Sequence, residues 1–205
     1  MPFPADDDGS HPISDEDLAQ VLVGPVTPHN APITLAEYDP GWPALFAREA
    51  GRIRAALGST AVLLEHAGST SVPGLAAKPI IDIVLAVPDS ADEPAYVPAL
   101  AAAGYVLSSR EPDWFEHRMF KGPDTDINLH VFTAGAAEID KMLLFRDWLR
   151  ACEADREAYL AVKRELALRT WRHVQHYADA KSVIVEQIVA RAAAARPPRD
   201  ARPAS

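Results

Sequence analysis

Residues 66–87 read HAGSTSVPGLAAKPIIDIVLAV and carry the two features on which the predicted architecture depends. They begin at the end of a predicted strand, 61–67, and close on an aliphatic run, 80–87. An aliphatic run without alternation is typical of a central strand buried on both faces. One acid, Asp82, interrupts the run. Burying a carboxylate among aliphatic side chains costs several kcal/mol unless it is paired or binds a metal ion.

The Gly-Ser pair near the start of this stretch predicts a phosphate-binding turn. Backbone N–H groups at a strand end, together with the Ser69 hydroxyl, can hold phosphate oxygens. Gly68 lets the backbone approach such a ligand closely. An ordinary structural role stays open for two of the flanking residues, His66 as a satisfied histidine and Lys78 as a solvated loop lysine. The candidate phosphate contacts of this segment are His66, Gly68, Ser69, Thr70 and Lys78.

Two interpretations of Asp82 follow from the sequence. In one, the carboxylate caps a turn or pairs with a buried arginine, which satisfies it without a ligand. In the other, it points into a site at the edge of the sheet and holds Mg²⁺ or a cationic group of a substrate. We adopt the second as the working hypothesis, because the acid follows a predicted phosphate-binding turn.

Two later strands add polar residues that can face the same site. A basic group occurs at His117, Arg118 and Lys121. Strand alternation places His117 and Lys121 on one face and Arg118 on the other. Asn128 and His130 share a face of the next predicted strand, so they can line a pocket together. A solvated cationic strand face is the alternative interpretation of the basic group.

The C-terminal part of the chain is predicted to be helical, with helices near 159–174 and 178–195. Lys163, Tyr177 and Lys181 lie on or beside these helices. They either cover a bound nucleotide or form an ordinary surface with a packing tyrosine. Helical spacing favours the surface interpretation.

The predicted domain organisation has three parts. Residues 1–32 form a flexible acidic extension with a short helix that Ser14 caps. Residues 33–195 form the main domain, which opens with a short alternating strand at 33–38. Residues 196–205 are a tail of Pro, Arg and Ala with few other residues, which predicts disorder.

Composition restricts the partners and the compartment. The net charge is -9 with a pI near 5.2, which argues against nucleic acid as a partner. No apolar run reaches the roughly 18 residues of a membrane span, so no membrane partner is expected. The N-terminus lacks the basic start and apolar core of a signal peptide. The single cysteine, Cys152, fits a reducing compartment, and we predict a cytoplasmic protein.

The segment at 66–87 resembles the signature of the GrpB family. Further similar segments follow in order: TLAEYDPGWPALFAREAGRIRAALG at 34–58, HRMFKG at 117–122, NLHVF at 128–132, FRDWLR at 145–150 and YADAK at 177–181. The resemblance covers about residues 33–190, nearly the whole predicted domain.

The family is grouped with the nucleotidyltransferase superfamily of DNA polymerase β type. The resemblance therefore implies an α/β (α+β) fold: a nucleotidyltransferase-like mixed β-sheet with flanking helices and a C-terminal helical part. The superfamily pattern places two carboxylates, separated by one residue, after the Gly-Ser turn. Asp82 fits the first position, but Val84 occupies the second, and His130 stands where a third acid is expected. This departure puts standard two-metal transfer in doubt.

The resemblance implies a transferase that moves a nucleotidyl or phosphoryl-type group from an NTP to a small acceptor. In this hypothesis Asp82 and His130 are catalytic and bind one Mg²⁺ or Mn²⁺ ion. The nucleotide contacts would be His66, Gly68, Ser69, Thr70, Lys78, His117, Lys121 and Asn128. The alternative is a module on the same fold that binds a nucleotide or another anionic metabolite without turnover.

Overall fold

A five-stranded mixed sheet forms the centre of the computed structural model, which describes residues 14–195. Its strands are β1 Leu63–Ala67, β2 Ile81–Val87, β3 Val106–Glu111, β4 His117–Lys121 and β5 Ile127–Thr133. The order across the sheet is β1-β2-β5-β4-β3. Only β2 and β5 run parallel, and every other neighbouring pair is antiparallel. The predicted mixed sheet is therefore confirmed, with the aliphatic strand β2 in an interior position.

One face of the sheet packs on two helices, α2 (Trp42–Leu57) and α3 (Val97–Ala102). Ile83 of β2 and Leu129 of β5 are fully buried on this face, as is Ile53 of α2. Because β2 alternates between two covered faces, both sets of its side chains must be mostly apolar. This explains the aliphatic run from which the strand was predicted.

The C-terminal third of the chain covers the other face. It contains α4 Ala137–Ala151, α5 Glu153–Ala167, α6 Val174–Asp179 and α7 Ser182–Ala195. Three buried sheet residues, Val84, Ala86 and Phe132, pack against Ile139 and Met142 of α4. Helix α4 thus closes only the half of this face that lies toward the end of β2.

The N-terminal segment lies against the domain. A short helix, α1 (Asp15–Val21), begins at Ser14, whose hydroxyl accepts from the Asp17 backbone N–H in a capping box. The predicted cap is therefore confirmed. Asp15 pairs with Arg172 and His173, which ties this helix to the segment between α5 and α6. The predicted features of residues 1–13 and 196–205 lie outside the described residues.

Three local predictions were wrong. Residues 33–38 make only an isolated antiparallel bridge, Ala36 with Ala77, because no neighbouring strand is available to pair with them. The helix predicted near 159–174 ends at Ala167, and the one predicted near 178–195 begins only at Ser182, with the short helix α6 lying between the two. The apolar periodicity of the sequence does not reveal these helix ends, because it continues across them. No helix within residues 14–195 is long and apolar enough to cross a bilayer.

Candidate functional site

Asp82 lies where β2 begins, opposite Ala67 at the end of β1. Its side chain is 27% exposed. The carboxylate rests against the backbone of Gly68, where a Cβ atom would stand 2.1 Å from Asp82 Oδ2. Gly68 also has a φ of +65°, which residues with a side chain rarely adopt. The glycine of the predicted turn is therefore required by the acid beside it as well as by the backbone.

The parallel register of β2 and β5 brings two further polar residues to Asp82. Asn128 pairs with Asp82 and donates from Nδ2 to Oδ1 at 2.8 Å. His130 Nε2 lies 3.8 Å from the same oxygen. Burial raises the pKa of Asp82, but the adjacent His130 and Asn128 and the charge of Lys78 outweigh it and lower the pKa to about 2. The carboxylate is therefore ionised at neutral pH.

A chain of hydrogen bonds fixes the orientation of His130. His117 Nδ1 contacts the Glu111 carboxylate, and His117 Nε2 lies 3.1 Å from His130 Nδ1. Burial lowers the pKa of His117 to about 4, although Glu111 raises it, so His117 is neutral. A carboxylate can only accept, so His117 donates from Nδ1 and accepts at Nε2 from the N–H of His130. This leaves His130 Nε2, which faces Asp82, available for a proton or a metal ion.

Three lysines interact electrostatically with the same carboxylate, and we call Lys78, Lys163 and Lys181 the lysine cluster. Lys163 is 2% exposed and donates to the Ala76 carbonyl oxygen at 2.6 Å. Burial, followed by repulsion from Lys181, lowers its pKa to about 7. Burial and Lys78 likewise lower the pKa of Lys181 to about 8. Mutual repulsion among these cations would be relieved by a bound anion.

Two tyrosines support the lysine cluster. Lys181 Nζ lies 4.4 Å from the centre of the Tyr177 ring, and Lys78 Nζ lies 5.7 Å from it. Lys163 Nζ lies 5.2 Å from the ring of Tyr159. Burial raises the pKa of the Tyr159 phenol, and the neighbouring Ser69 hydroxyl opposes this. Helix α5 therefore reaches over the Gly-Ser turn.

Not all of the predicted residues meet at this site. His66 pairs with Ile83 and points to the opposite face of the sheet, where it stacks on Phe46 with ring centres 4.9 Å apart. Its Nε2 lies 3.1 Å from the hydroxyl of Thr70, which is 1% exposed. The structure groups the remaining predicted residues around Asp82: Gly68, Ser69, Lys78, His117, Lys121, Asn128 and His130.

The sequence reasoning did not select Glu111 or Tyr159, and it favoured a surface role for Lys163 and Lys181. A repeated spacing could have identified the lysines, because Tyr159 precedes Lys163 by the same interval as Tyr177 precedes Lys181. Each tyrosine contacts the lysine that follows it. For Glu111 no comparable signal exists, because its contact with His117 depends on the pairing of β3 with β4.

Position 84, where the superfamily pattern places its second carboxylate, is fully buried in the apolar core. Val84 is 0% exposed and belongs to the apolar cluster beneath α4. Within residues 14–195 no group of three or more His, Cys, Asp or Glu side chains is arranged to hold a metal ion. Asp82 and His130 can therefore supply two protein ligands at most, and an ion bound there needs further oxygens from its ligand.

Fold and site together define a mixed α/β protein with a Gly-Ser turn, a single carboxylate and a cationic helical cover. The sequence model of the GrpB protein family matches residues 32–191. The chain belongs to the GrpB family, as its sequence motifs predicted. It is 65% identical to a UPF0157 protein of Halalkalibacterium halodurans over 192 residues, which cover 94% of this chain and 98% of the relative.

A solved structure and a second group of relatives are also similar. The crystal structure of the conserved protein GrpB from Enterococcus faecalis matches with a TM-score of 0.66 at 30% identity, covering 78% of this chain and 96% of that one. A dephospho-CoA kinase of Mycolicibacterium paratuberculosis is 32% identical over 177 residues. The match covers 74% of this chain but only 44% of that kinase.

Proposed function

We propose that this protein binds a nucleoside triphosphate at Asp82 and transfers a nucleotidyl or phosphoryl-type group to a small acceptor. The observation that carries the proposal is the meeting of an ionised carboxylate, a Gly-Ser turn and the lysine cluster. A polyphosphate with a divalent ion matches this arrangement, because the ion neutralises Asp82 and the lysines neutralise the phosphates.

Two donor atoms of the site would hold one metal ion. Asp82 Oδ1 and His130 Nε2, which lie 3.8 Å apart, would be its protein ligands. Mg²⁺ prefers oxygen ligands, so the imidazole favours Mn²⁺ or a softer ion. Such an ion would polarise a phosphoryl oxygen. With only two protein ligands, the remaining coordination would come from the phosphates and water.

Each residue of the site has a defined task in this proposal. Ser69 and the turn amides would hold phosphate oxygens, and the lysine cluster would stabilise the charge that develops on them. His130 would be the second metal ligand or, in the absence of a metal ion, a base toward the acceptor. Lys121, which donates to Asn128 Oδ1, would add positive charge at the open side of the site.

The mycobacterial relatives support a nucleotide-related role. They are named dephospho-CoA kinase, and a region similar to this chain is part of each of them. That region is less than half of each protein, so the name does not assign the kinase activity to it. It does favour a nucleotide-related role for the region.

A second candidate function is a module that binds a nucleotide without turnover. Val84 favours it, because the closed second position leaves no room for the paired carboxylates that bridge two metal ions. The two functions differ in their need for a metal ion, since anion binding by the lysine cluster does not require one.

The test compares the melting temperature with ATP, GTP, CTP or UTP, each with Mg²⁺, Mn²⁺ or neither. Ligands that bind the native state raise the melting temperature by mass action. For the transferase we expect a metal-dependent shift that Asp82→Asn abolishes and that Asp92→Asn retains. Asp92 is a matched control, because it is an exposed acid in the segment that follows the other end of β2.

Turnover is measured separately by colorimetric assays of pyrophosphate and of inorganic phosphate with a nucleotide and Mn²⁺. Slow release of pyrophosphate would support nucleotidyl transfer to water in the absence of the acceptor, release of phosphate would support phosphoryl transfer, and either should be lost in Asp82→Asn. A melting shift without metal and without release of either product would identify the binding module. No shift with any nucleotide would refute both functions.

A further inference from the structure

A cavity lies at the outer edge of β1, and Asp82 is not among the residues that line it. It has a volume of about 510 Å³ and lies between the start of α2 and helices α4 and α5. Six of its lining residues matter for its chemistry: Tyr38, Phe46, His66, Arg146, Arg150 and Arg156. Ser71, which follows the Gly-Ser turn, also lines this cavity, whereas Asp82 and the lysine cluster of the proposed nucleotide site do not.

Three guanidinium groups line this cavity in a chain whose net charge is -9. The single acid in the lining, Glu65, is already bound to Arg146 at 2.7 Å. Arg150 is held by two hydrogen bonds to the Ser71 carbonyl oxygen, at 3.0 and 2.8 Å. Arg156 donates to the Leu149 carbonyl oxygen at 3.2 Å. Arg150 also lies 3.4 Å from Asp147, and Arg156 lies 3.9 Å from Glu153. These two acids lie outside the lining and are 55% and 82% exposed, so water screens both pairs and the cavity itself stays cationic.

The opposite wall of the cavity is aromatic. Phe46 and His66 stack with an interplanar angle of 10°, and Tyr38 extends the wall. Burial lowers the pKa of His66 to about 4, so the imidazole is neutral at physiological pH. Flat rings stack well on such a surface, whereas guanidinium groups bind phosphate and carboxylate through paired N–H donors.

We propose that this cavity binds a small organic oxyanion, with its phosphoryl or carboxylate group on Arg150 and Arg156 and a flat apolar part against Phe46 and Tyr38. This cavity is distinct from the proposed nucleotide site, because neither Asp82 nor any residue of the lysine cluster lines it. A ligand there contacts the back of the turn that carries Ser69.

The probe for this site is phenyl phosphate, compared with inorganic phosphate by titration calorimetry on the full chain. We expect saturable binding that is tighter for phenyl phosphate, because only this probe has a ring for the aromatic wall. Arg156→Gln removes a charge-assisted donor and should weaken binding at least about tenfold. Arg156→Lys retains the charge but loses the paired donors, so it should weaken binding less.

Two controls fix the location. Arg164→Gln makes the same change on the same helix, at a 58% exposed side chain paired with Glu37, and should leave the affinity unchanged. Lys78→Gln should also leave it unchanged if the probe occupies this cavity rather than the nucleotide site. Absence of saturable binding, equal affinity for both probes, or loss of binding in Lys78→Gln but not in Arg156→Gln would each overturn the proposal.

Discussion

The two faces of strand β2 differ in what their side chains do. Toward α2 and α3, Ile81, Ile83, Leu85 and Val87 are at most 1% exposed and form one continuous apolar surface. Toward the C-terminal helices, only the later part of the strand is apolar, and Asp82 at its beginning is 27% exposed. The boundary between core and site therefore lies within one strand face, at the limit of the cover that α4 provides.

This difference shows how one strand serves stability and ligand binding together. The apolar positions contribute through burial, at about 25 cal/mol for each Å² removed from water. The polar positions satisfy one another, since Asn128 donates to Asp82 and His117 lies within hydrogen-bonding distance of His130. The polar half should consequently contribute less to the free energy of unfolding than the apolar half, and more to binding.

Placing an acid in the apolar half should have the largest effect. We expect Val84→Asp to lower the free energy of unfolding by about 4 kcal/mol or more, because an unpaired charge would be buried beneath α4. Val84→Ala, the control for lost volume, should cost about 2 kcal/mol. Urea denaturation measures both. A stable Val84→Asp protein with stronger Mn²⁺ binding would show that the apolar half is not closed.

The contact between Gly68 and Asp82 predicts the next largest effect. Gly68→Ala should cost about 3 kcal/mol and disturb the site, because the new Cβ would overlap the carboxylate in a backbone conformation that only glycine tolerates. Gly74→Ala is the matched control, since Gly74 also has a positive φ, +78°, but no atom within 4 Å of the added Cβ. There we expect about 1 kcal/mol. Equal losses in urea denaturation would exclude a specific role for the Asp82 contact.

The sheet could be predicted from the sequence, because its signals are local. Aliphatic runs identify a strand such as β2, and alternation correctly assigned His117 and Lys121 to one face. The Gly-Ser turn and Asp82 were selected for the same reason, since both lie within one short stretch. The resemblance to the GrpB family supplied the mixed sheet, which alternation alone does not specify.

Which residues meet at the site depends on the register between the strands, and a local sequence pattern does not specify this register. His66 pairs with Ile83 rather than with Asp82, so its imidazole lies on the face of the sheet toward α2. A shift of one residue in the strand register would reverse this. The lysine cluster arises from the packing of α5 and α6 over the turn, after helix breaks that periodicity did not reveal. Long-range packing of this kind is not encoded in a local pattern.

The burial of His66 on the face toward α2 also predicts that the free energy of unfolding depends on pH. Burial, opposed by Asp82 and assisted by Arg150, lowers the pKa of His66 from 6.5 to about 4 in the folded state. The unfolded chain therefore binds more protons between these values, and the stabilisation present above pH 6.5 is lost as the pH falls toward 4. The contribution of His66 is at most roughly 3 kcal/mol.

Urea denaturation at a series of pH values measures this dependence. His66→Gln keeps a donor for Thr70 but cannot take up a proton, so its free energy of unfolding should fall less between pH 6.5 and 4 than that of the wild type. His117, which is also buried and neutral, remains in both proteins and cancels in the comparison. Parallel curves would show that His66 does not resist protonation in the folded protein.

The smallest effect on stability should come from the residue with the largest effect on binding. Asp82→Asn is isosteric, keeps an oxygen that can accept from Asn128, and affects a partly exposed side chain. We expect a loss of about 2 kcal/mol in the free energy of unfolding, because the lowered pKa of Asp82 means that folding stabilises its charged form, together with the loss of metal-dependent nucleotide binding. Calorimetric titration with Mn²⁺-nucleotide and urea denaturation on the same protein provide the two values. A large loss of stability with unchanged binding would assign Asp82 to the core, and the division of this strand face into a structural and a functional half would then be wrong.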